Sequence, residues 1–396
     1  MGYVNFKEEV YVANQQLNNR KFNNKKIFQQ IQKDRTLLKN YSPYQEFSYK
    51  IFNNEQFGKS GIEDEDNFIR IENKDILCSK FISCSFNNVL FKNCNFIGCV
   101  FEECDFVLGG VSFDGCRFIM EDSIKKPSLN VRDNFSCRFQ RCSIYPKFKN
   151  CNLSFCIFED CFIKDASFEK TDMTSIIIYS TDIKMANIQD CDMSGIKFVN
   201  SYIEDMEFRD KQKTKLDEKS FFDKIPIRYK NRDEYEGIYM QYETIADKFK
   251  ENTLDNNFGE YYYLAKCTQR KTLDPVPKIQ SYIYWFTCGY GERPLNAVIT
   301  SLCIIFIFSF IYLFSGLDID GQIISYITGD MRGLSFRDFI THYNESLTLS
   351  ISMYGAVGFI NAQPAPVSYL ISGIEVIIGI IMIGVGIGTL TRKIVR

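Results

Sequence analysis

Large apolar residues recur at every fifth position between residues 79 and 208. The recurring residue is Phe, Leu, Ile or Met, and a small residue, most often Cys, stands two positions before it. This period matches neither a helix, with about 3.6 residues per turn, nor a strand, whose side chains alternate between two faces. A square coil with five residues on each side does fit, because each side turns its large and its small residue inward. The strictest run comprises Phe81, Phe86, Phe91, Phe96, Phe101 and Phe106.

The repeat is interrupted at residues 119–134, which we interpret as an excursion loop. The length of the repeat without this loop predicts about five or six coils stacked on one another.

The fifteen cysteines largely follow the same period. Because no secretory signal is apparent in the first residues, we expect a reducing compartment, in which buried Cys acts as a small apolar residue. Zinc is the alternative, since Cys94, Cys99 and Cys104 repeat a C-x4-C spacing. Zinc sites, however, usually use cysteine pairs at C-x2-C spacing together with histidine ligands. The only histidine in the sequence is His342, far from these cysteines. We therefore expect packing, and predict neither a metal site nor a cofactor.

The five-residue period resembles the pentapeptide-repeat family, and the resemblance implies a right-handed quadrilateral β-helix. Some members of that family are acidic mimics of DNA that bind topoisomerases, which requires a strongly negative face. Residues 79–210 carry 19 acidic and 15 basic side chains, an imbalance too mild for that function. The formal net charge of -2 argues against a nucleic-acid binder with a basic face. We interpret residues 76–210 as a rigid cytoplasmic spacer or a docking surface for a protein partner.

Polar segments flank the repeat on both sides. Residues 1–75 are predicted to be partly disordered or weakly helical. Residues 211–288 are predicted to be a helical linker, because apolar residues within 230–272 recur at the spacing of a helical hairpin. Its tyrosine-rich faces are expected to pack on each other or near the membrane, with a peptide-binding groove as the alternative. The aromatic residues that follow predict a helix at the membrane interface.

Two apolar segments, residues 295–317 and 367–390, are each long enough to cross a membrane. The chain ends in the basic sequence RKIVR, which by the positive-inside rule places the C-terminus in the cytoplasm. Two spans then place the N-terminus there as well. We therefore predict a multidomain, multi-pass protein of the cytoplasmic membrane, in contact with lipid.

Residues 344–353, between the spans, are too few and too polar to cross, and they predict a re-entrant pore helix that includes Thr348 and Ser352. Asn344 is the expected N-cap, with Glu345 in the first turn beside the positive end of the helix dipole. The carbonyls at the other end then point inward and favour a cation. Residues 355–360 are expected to line a pore, because irregular backbone at this depth must line water or pack in protein.

This arrangement resembles the two-span potassium-channel superfamily over residues 289–396, and in particular the bacterial proteins in which pentapeptide repeats precede an ion-channel domain. GYGERPL leads into the first span, and ESLTLSISMYGAVGFIN lies on the family's pore helix and filter. The family coordinates potassium through filter carbonyls and one threonine hydroxyl. The residues that the resemblance places on the filter and just after it are Ala356, Val357, Gly358, Phe359, Ile360 and Asn361.

Two of these residues depart from the family's Thr-Val-Gly-Tyr-Gly sequence. Ala356 has no hydroxyl, so the innermost site loses its side-chain ligand. Ile360 replaces the outer glycine, and a β-branched residue rarely adopts positive φ. The sequence therefore predicts weakly selective conduction of monovalent cations, K⁺ or Na⁺. Potassium selectivity, sodium preference, anion passage and a pore that does not conduct are the alternatives.

The second span contains several glycines and one acid. Gly379 falls near the family's hinge position, and Gly384 and Gly386 add flexibility; the alternative to a bending gate is close helix packing. An acid inside a membrane is costly, so Glu375 is a functional candidate. It either forms a hydrogen bond behind the filter or contributes to an ion-lining ring.

One two-span unit supplies a quarter of a pore, so we predict a homotetrameric channel with a cytoplasmic repeat domain. The sequence contains no catalytic constellation, and we do not expect an enzyme. The alternative function is a membrane-anchored scaffold that conducts nothing and binds a protein partner through its repeats. A topoisomerase-binding protein with a membrane tail is a further alternative, which the charge of the repeat disfavours.

Overall fold

The computed structural model of the chain describes residues 4–38, 41–42, 46–61, 64–107, 110–120, 135–319, 321–327, 335–358 and 362–395. The chain divides into two compact units, Met1–Thr272 (the first unit) and Leu273–Arg396 (the second unit). This boundary lies inside the segment 211–288 that the sequence predicted to be one linker. The reason is that the predicted hairpin packs on the repeat domain, whereas the helix after it contacts the apolar helices.

The first unit is built around a four-sided β-solenoid of about seven turns, in which each strand pairs in parallel with the strand one turn away. Face A comprises β1 (Ile51–Asn53), β5 (Lys80–Ile82), β9 (Val100–Glu102), β12 (Arg138–Gln140), β15 (Ile157–Glu159), β18 (Ile177–Tyr179), β21 (Lys197–Val199) and β24 (Phe221–Phe222). Face B comprises β2 (Gln56–Gly58), β6 (Ser85–Asn87), β10 (Asp105–Phe106), β13 (Ser143–Ile144), β16 (Phe162–Lys164), β19 (Asp182–Lys184) and β22 (Tyr202–Glu204).

The other two faces differ in regularity. Face C comprises β3 (Ile69–Glu72), β7 (Val89–Lys92), β11 (Val111–Asp114), β14 (Lys147–Lys149), β17 (Ser167–Glu169), β20 (Asn187–Gln189) and β23 (Glu207–Phe208). Face D has two regular strands, β4 (Asp75–Leu77) and β8 (Asn95–Ile97), and continues as single parallel bridges through Arg117, Asn152, Asp172, Asp192 and Lys215. The solenoid is longer than the five or six coils predicted, because its first and last turns lack the strict five-residue period.

Phenylalanine rings form columns inside the solenoid. The ring centroids of Phe81 and Phe101 are 4.9 Å apart and those of Phe101 and Phe139 are 4.7 Å apart, with nearly parallel planes. These distances match the separation of adjacent strands, about 4.8 Å, because each ring occupies the same position on its strand. The cysteines between Cys78 and Cys191 are buried thiols, as the packing interpretation predicts.

The corners of the solenoid use left-handed backbone two positions after the central residue. The angle φ is 50° at Ser83, 51° at Asn93 and 53° at Asp160. Short polar side chains tolerate this conformation better than branched apolar ones. Most corner residues are therefore polar for a conformational reason as well as for their contact with solvent, although Phe155 and Met185 adopt the same backbone conformation.

The N-terminal segment is more regular than the partly disordered or weakly helical region that the sequence predicted. A helix of 28 residues, α1 (Phe6–Lys33), begins after the N-cap Asn5 and buries Leu17 and Ile31. The solenoid starts at Ile51 rather than at residue 76, since β1, β2 and β3 already pair with the next turn. The physical reason is that the solenoid offers α1 an apolar surface, which supplies the stability that a polar isolated helix lacks.

The predicted hairpin consists of α2 (Arg232–Glu251) and α3 (Asp255–Gln269). Tyr261 Oη on α3 accepts a hydrogen bond from the amide of Phe222 and donates one to its carbonyl, both at 2.8 Å. Tyr242 Oη on α2 accepts a hydrogen bond from the amide of Ile225, three residues after Phe222, also at 2.8 Å. The tyrosine faces therefore pack on the last turn of the solenoid, rather than forming a peptide groove.

The second unit consists of helices and one small sheet. The helices are α4 (Pro275–Cys288), α5 (Pro294–Ser315), α6 (Phe336–Tyr354) and α7 (Tyr369–Val395), and the strands of the antiparallel sheet are β25 (Leu317–Ile319), β26 (Gln322–Ile324) and β27 (Ala362–Pro364). Within the described residues, short 3₁₀ turns lie at Arg35–Leu38, Glu65–Asn67, Gly289–Gly291 and Pro366–Ser368. Two helical segments, Pro294–Ser315 and Pro366–Ile394, are long and apolar enough to span a membrane.

The start of α6 corrects one prediction. The helix begins at Phe336, and Ser335 caps it in a reciprocal capping box with Asp338. Asn344, the predicted N-cap, lies inside the helix, and Glu345 is not in its first turn. The Ser-x-x-Asp pattern that starts the helix is visible in the sequence at residues 335–338.

The antiparallel sheet was also missed by the sequence analysis. β25 and β26 are joined by a tight turn in which the Asp318 side chain accepts a hydrogen bond from the Gly321 amide at 2.9 Å. An Asp-Gly pair between short apolar runs is a recognised hairpin signal, and residues 320–321 carry it.

Candidate functional site

The candidate site is the C-terminal end of α6 and the residues that follow it. The amides of Ala356 and Val357 both donate at 3.1 Å to carbonyls of the last turn of α6. Ala356 and Gly358 have positive φ, 50° and 62°, so the chain turns sharply after the helix. These residues are exposed in the single chain, and Val357 is 63% exposed although it is apolar.

The predicted filter is described only as far as Gly358. Phe359, Ile360 and Asn361 lie outside the described residues, so the expected effect of Ile360 on the backbone stays a prediction. A Cβ atom added at Gly358 meets no atom within 4 Å. The single chain therefore leaves open space on that side of the filter segment.

Serine hydroxyls bind α6 to its neighbour α5. Ser346 Oγ donates to the carbonyl of Ser309, and Ser350 Oγ lies 2.9 Å from the carbonyl of Ile305. Ser346 and Ser350 have no exposed surface. These two serine hydroxyls are thus satisfied by a neighbouring helix rather than by water.

Glu375 joins three helices. Its carboxylate accepts a hydrogen bond from Tyr312 Oη on α5 at 2.6 Å and one from Ser350 Oγ on α6, while Glu375 itself belongs to α7. Both Glu375 and Tyr312 have no exposed surface. The acid that the sequence singled out is therefore hydrogen-bonded within one chain to α6, the helix that precedes residues 356–358; a place behind a filter stays a prediction.

The glycines of α7 have different surroundings. A Cβ atom added at Gly379 would lie 2.0 Å from the carbonyl oxygen of Tyr354, the last residue of α6. At Gly386 it would lie 3.8 Å from the Ala297 side chain, and at Gly384 it would meet nothing within 4 Å. Close packing therefore applies at Gly379; a hinge at any of the three stays a prediction.

The remaining residues assigned to the pore helix have local roles. Thr348 Oγ1 donates to the carbonyl one turn earlier in α6 at 2.8 Å, and it is exposed. Ser352 is buried, and its hydroxyl donates to the Leu349 carbonyl at 3.2 Å. Glu345 is half-buried. None of these side chains reaches the segment 356–358 through a hydrogen bond among the contacts described.

Metal ligation has no support in the part of the chain that the structure describes. No group of three or more His, Cys, Asp or Glu residues lies close enough there to hold a metal ion.

The repeat domain has a second surface of interest, where α1 lies against face A. Leu17 packs on Ile157 and Ile177, which occupy outward positions that are usually polar on the other faces. Arg20 donates to the carbonyls of Phe155 and Ser175, at 2.9 and 2.8 Å. Burial lowers the pKa of the Arg20 guanidinium to about 10. This corner of the solenoid is thus occupied by the chain itself.

Comparison with known proteins bears on the first unit. Residues 81–119 match the family model described as pentapeptide repeats (9 copies). Trypsin-treated QnrB1, a plasmid-mediated fluoroquinolone resistance protein, is 17% identical, with 41% of this chain and 68% of that chain covered and a TM-score of 0.17. HetL, a pentapeptide-repeat protein from Nostoc sp. strain PCC 7120, is 10% identical, with 44% and 77% covered and a TM-score of 0.20.

No curated protein matches this chain. The five-residue period, the four-sided coil and the matching family model agree with one another. The chain therefore contains a pentapeptide-repeat β-solenoid.

Proposed function

We propose that the chain is one subunit of a homotetrameric ion channel related to the two-span potassium channels, with weak selectivity among monovalent cations. The second unit forms the pore, and the pentapeptide-repeat solenoid lies in the cytoplasm. The observation that carries this proposal is the position of α6, a polar helix that packs between two apolar helices and ends in an exposed, irregular segment.

The exposed filter segment supports assembly into an oligomer. Backbone that is neither helical nor paired is tolerated inside a membrane only where it lines water or is buried in protein. The segment 356–358 is exposed in the single chain and includes the apolar Val357. Packing of four such segments around an axis covers them and leaves their carbonyls to face ions.

Filter chemistry supports weak selectivity. Ala356 offers no hydroxyl for the innermost site, whereas Gly358 keeps the positive φ that a carbonyl-lined filter uses. The basic residues Arg392 and Lys393 at the end of α7 support a cytoplasmic C-terminus.

The test is recording from the purified full-length protein in planar bilayers under a gradient of potassium against sodium. We expect cation currents that reverse near zero. Currents that reverse at the potassium potential would contradict the weak selectivity but keep the channel. Absence of current in both voltage directions would favour the membrane-anchored scaffold.

A matched pair of variants tests the filter itself. Gly358→Asp adds a carboxylate at a positive-φ glycine with open space, and we expect it to change conductance at least about tenfold. Gly321→Asp makes the same change at another positive-φ glycine with open space, in the turn between β25 and β26, and should leave the conductance within about twofold. Native mass spectrometry of the same samples should give a tetramer.

A further inference from the structure

The loop between α4 and α5 is held in an unusual backbone conformation. Gly289, Tyr290 and Gly291 are three consecutive residues with positive φ, at 54°, 57° and 83°. Tyr290 Oη lies 2.7 Å from Ser281 Oγ, which anchors the loop to α4. A turn of this kind is held by its contacts rather than by the preference of Tyr290.

Side chains of α5 fix the same corner from the other side. Asn296 Nδ2 donates to the carbonyl of Trp285 at 3.1 Å, and Thr300 Oγ1 donates to the carbonyl of Phe286 at 2.9 Å. Both carbonyls belong to the last turn of α4, and the Trp285 carbonyl also accepts from the amide of the C-cap Gly289. The end of α4, the loop and the start of α5 therefore form one rigid piece.

The end of α7 meets this piece through an ion pair. Glu292 follows the loop and has no exposed surface, and its Oε1 lies 2.8 Å from Arg392 Nη2. Gly291 faces the same guanidinium, since a Cβ atom added there would lie 2.9 Å from Arg392 Nη1. A buried carboxylate depends on its partner, because removal of one charge leaves the other uncompensated.

Elsewhere the last turns of α7 are loosely packed on their glycine side. Cβ atoms added at Gly384 and Gly388 would meet nothing within 4 Å. The contact at Arg392 is therefore one of those that hold this end of the helix, together with the buried Lys393.

We propose that the Glu292–Arg392 ion pair positions the C-terminal end of α7 by joining it to the loop between α4 and α5. The inference rests on the proposed function, in which this end of α7 forms the cytoplasmic mouth of the pore. Glu292 is then a positioning residue that acts on the mouth through Arg392, and it contacts no permeating ion.

The first measurement requires no channel activity. Lys393 is 6% exposed, so trypsin should cleave slowly after it in the detergent-solubilised protein. Glu292→Gln should accelerate this cleavage about tenfold, as followed by the intact mass, because α7 loses the contact that holds its end. Glu236→Gln, the same change at an exposed residue of α2, should not alter the rate.

The second measurement is the open probability in planar bilayers. Glu292→Gln and Arg392→Gln should each change it about tenfold and leave the reversal potential unchanged. The charge-swapped double variant, Glu292→Arg with Arg392→Glu, should return it to within about threefold of wild type. Arg337→Gln, at an exposed position near the start of α6, is the control.

Failure of this inference is distinguishable from failure of the proposed function. If wild type conducts nothing, the channel proposal fails, and the cleavage rate alone decides whether the pair positions α7. If Glu292→Gln is cleaved at the wild-type rate, or if the swap recovers no more than the single variants, the inference is overturned.

Discussion

At the scale of single residues, Gly379 is constrained by the backbone of another helix. The carbonyl of Tyr354 ends α6, and α7 passes against it where α7 has no side chain. The sequence identified Gly379 as a hinge or a packing position. Only the distance between the two backbones shows that packing operates there, because a glycine in a sequence fits both interpretations.

Replacement of this glycine tests the contact. We expect Gly379→Ala to destabilise the second unit by about 1–3 kcal/mol, because the added Cβ meets a backbone oxygen that cannot rotate away. Gly373→Ala adds the same atom to the same helix in open space and should be neutral or slightly stabilising. Thermal unfolding in detergent measures both, and equal midpoints for the two variants would contradict the packing interpretation.

A second residue-scale contact lies where α2 meets the solenoid. Lys248 Nζ lies 2.8 Å from Asp210 Oδ2, and Thr214 Oγ1 donates to Asp210 Oδ1 at 2.6 Å. Burial opposes the charge of Asp210, but these hydrogen bonds and those from backbone amides outweigh it and lower the pKa of Asp210 to about 2.

The lowered pKa predicts how stability depends on pH. The pKa of the Asp210 carboxyl is about 2 in the folded state and near 3.8 in the unfolded chain. Its contribution to the free energy of unfolding is therefore present above pH 4 and is lost as the pH falls towards 2. Asp210→Asn should cost about 2 kcal/mol at pH 7 and less at pH 2. Urea unfolding at both pH values measures this, and a cost independent of pH would contradict it.

At the scale of elements, α1 depends on the surface beneath it. Its sequence is polar enough to have been assigned to a partly disordered segment. The residues that it buries are nevertheless at helical spacing: Ala13, Leu17 and Ile31. Leu17 lies in a buried cluster with Ile157 and Ile177 of face A, and Ile31 lies in one with Leu77 and Ile97 of face D. These solenoid residues would be exposed in an isolated coil, so the helix and the solenoid stabilise each other.

A charge placed under α1 should detach it. We expect Leu17→Asp to increase amide hydrogen exchange in Phe6–Lys33 about tenfold, because a carboxylate cannot be paired against Ile157 and Ile177. Tyr11→Asp introduces the same charge on the exposed side of the helix and should leave exchange unchanged. Equal protection of both variants would show that the apolar contact does not hold α1.

At the scale of the whole molecule, two features could be predicted from the sequence. One is a repeated pattern and the other is the length of the apolar segments. The solenoid was predictable because each turn buries the same positions, so one pattern is repeated many times in the sequence. The two apolar helices were predictable because length and composition alone identify them. The division at Thr272 was not, since it depends on which neighbour the hairpin packs against.

The sequence by itself determined the five-residue coil, the buried cysteines, the helical hairpin and two helices that can span a membrane. These follow from local periodicity and from the hydrophobic effect, which act on each segment independently. Tertiary structure decided the docking of α1, the capping of the solenoid by tyrosines, the three-helix contact of Glu375 and the pairing of Glu292 with Arg392. These contacts join residues far apart in the chain, so their distances and burial arise only when the chain is folded.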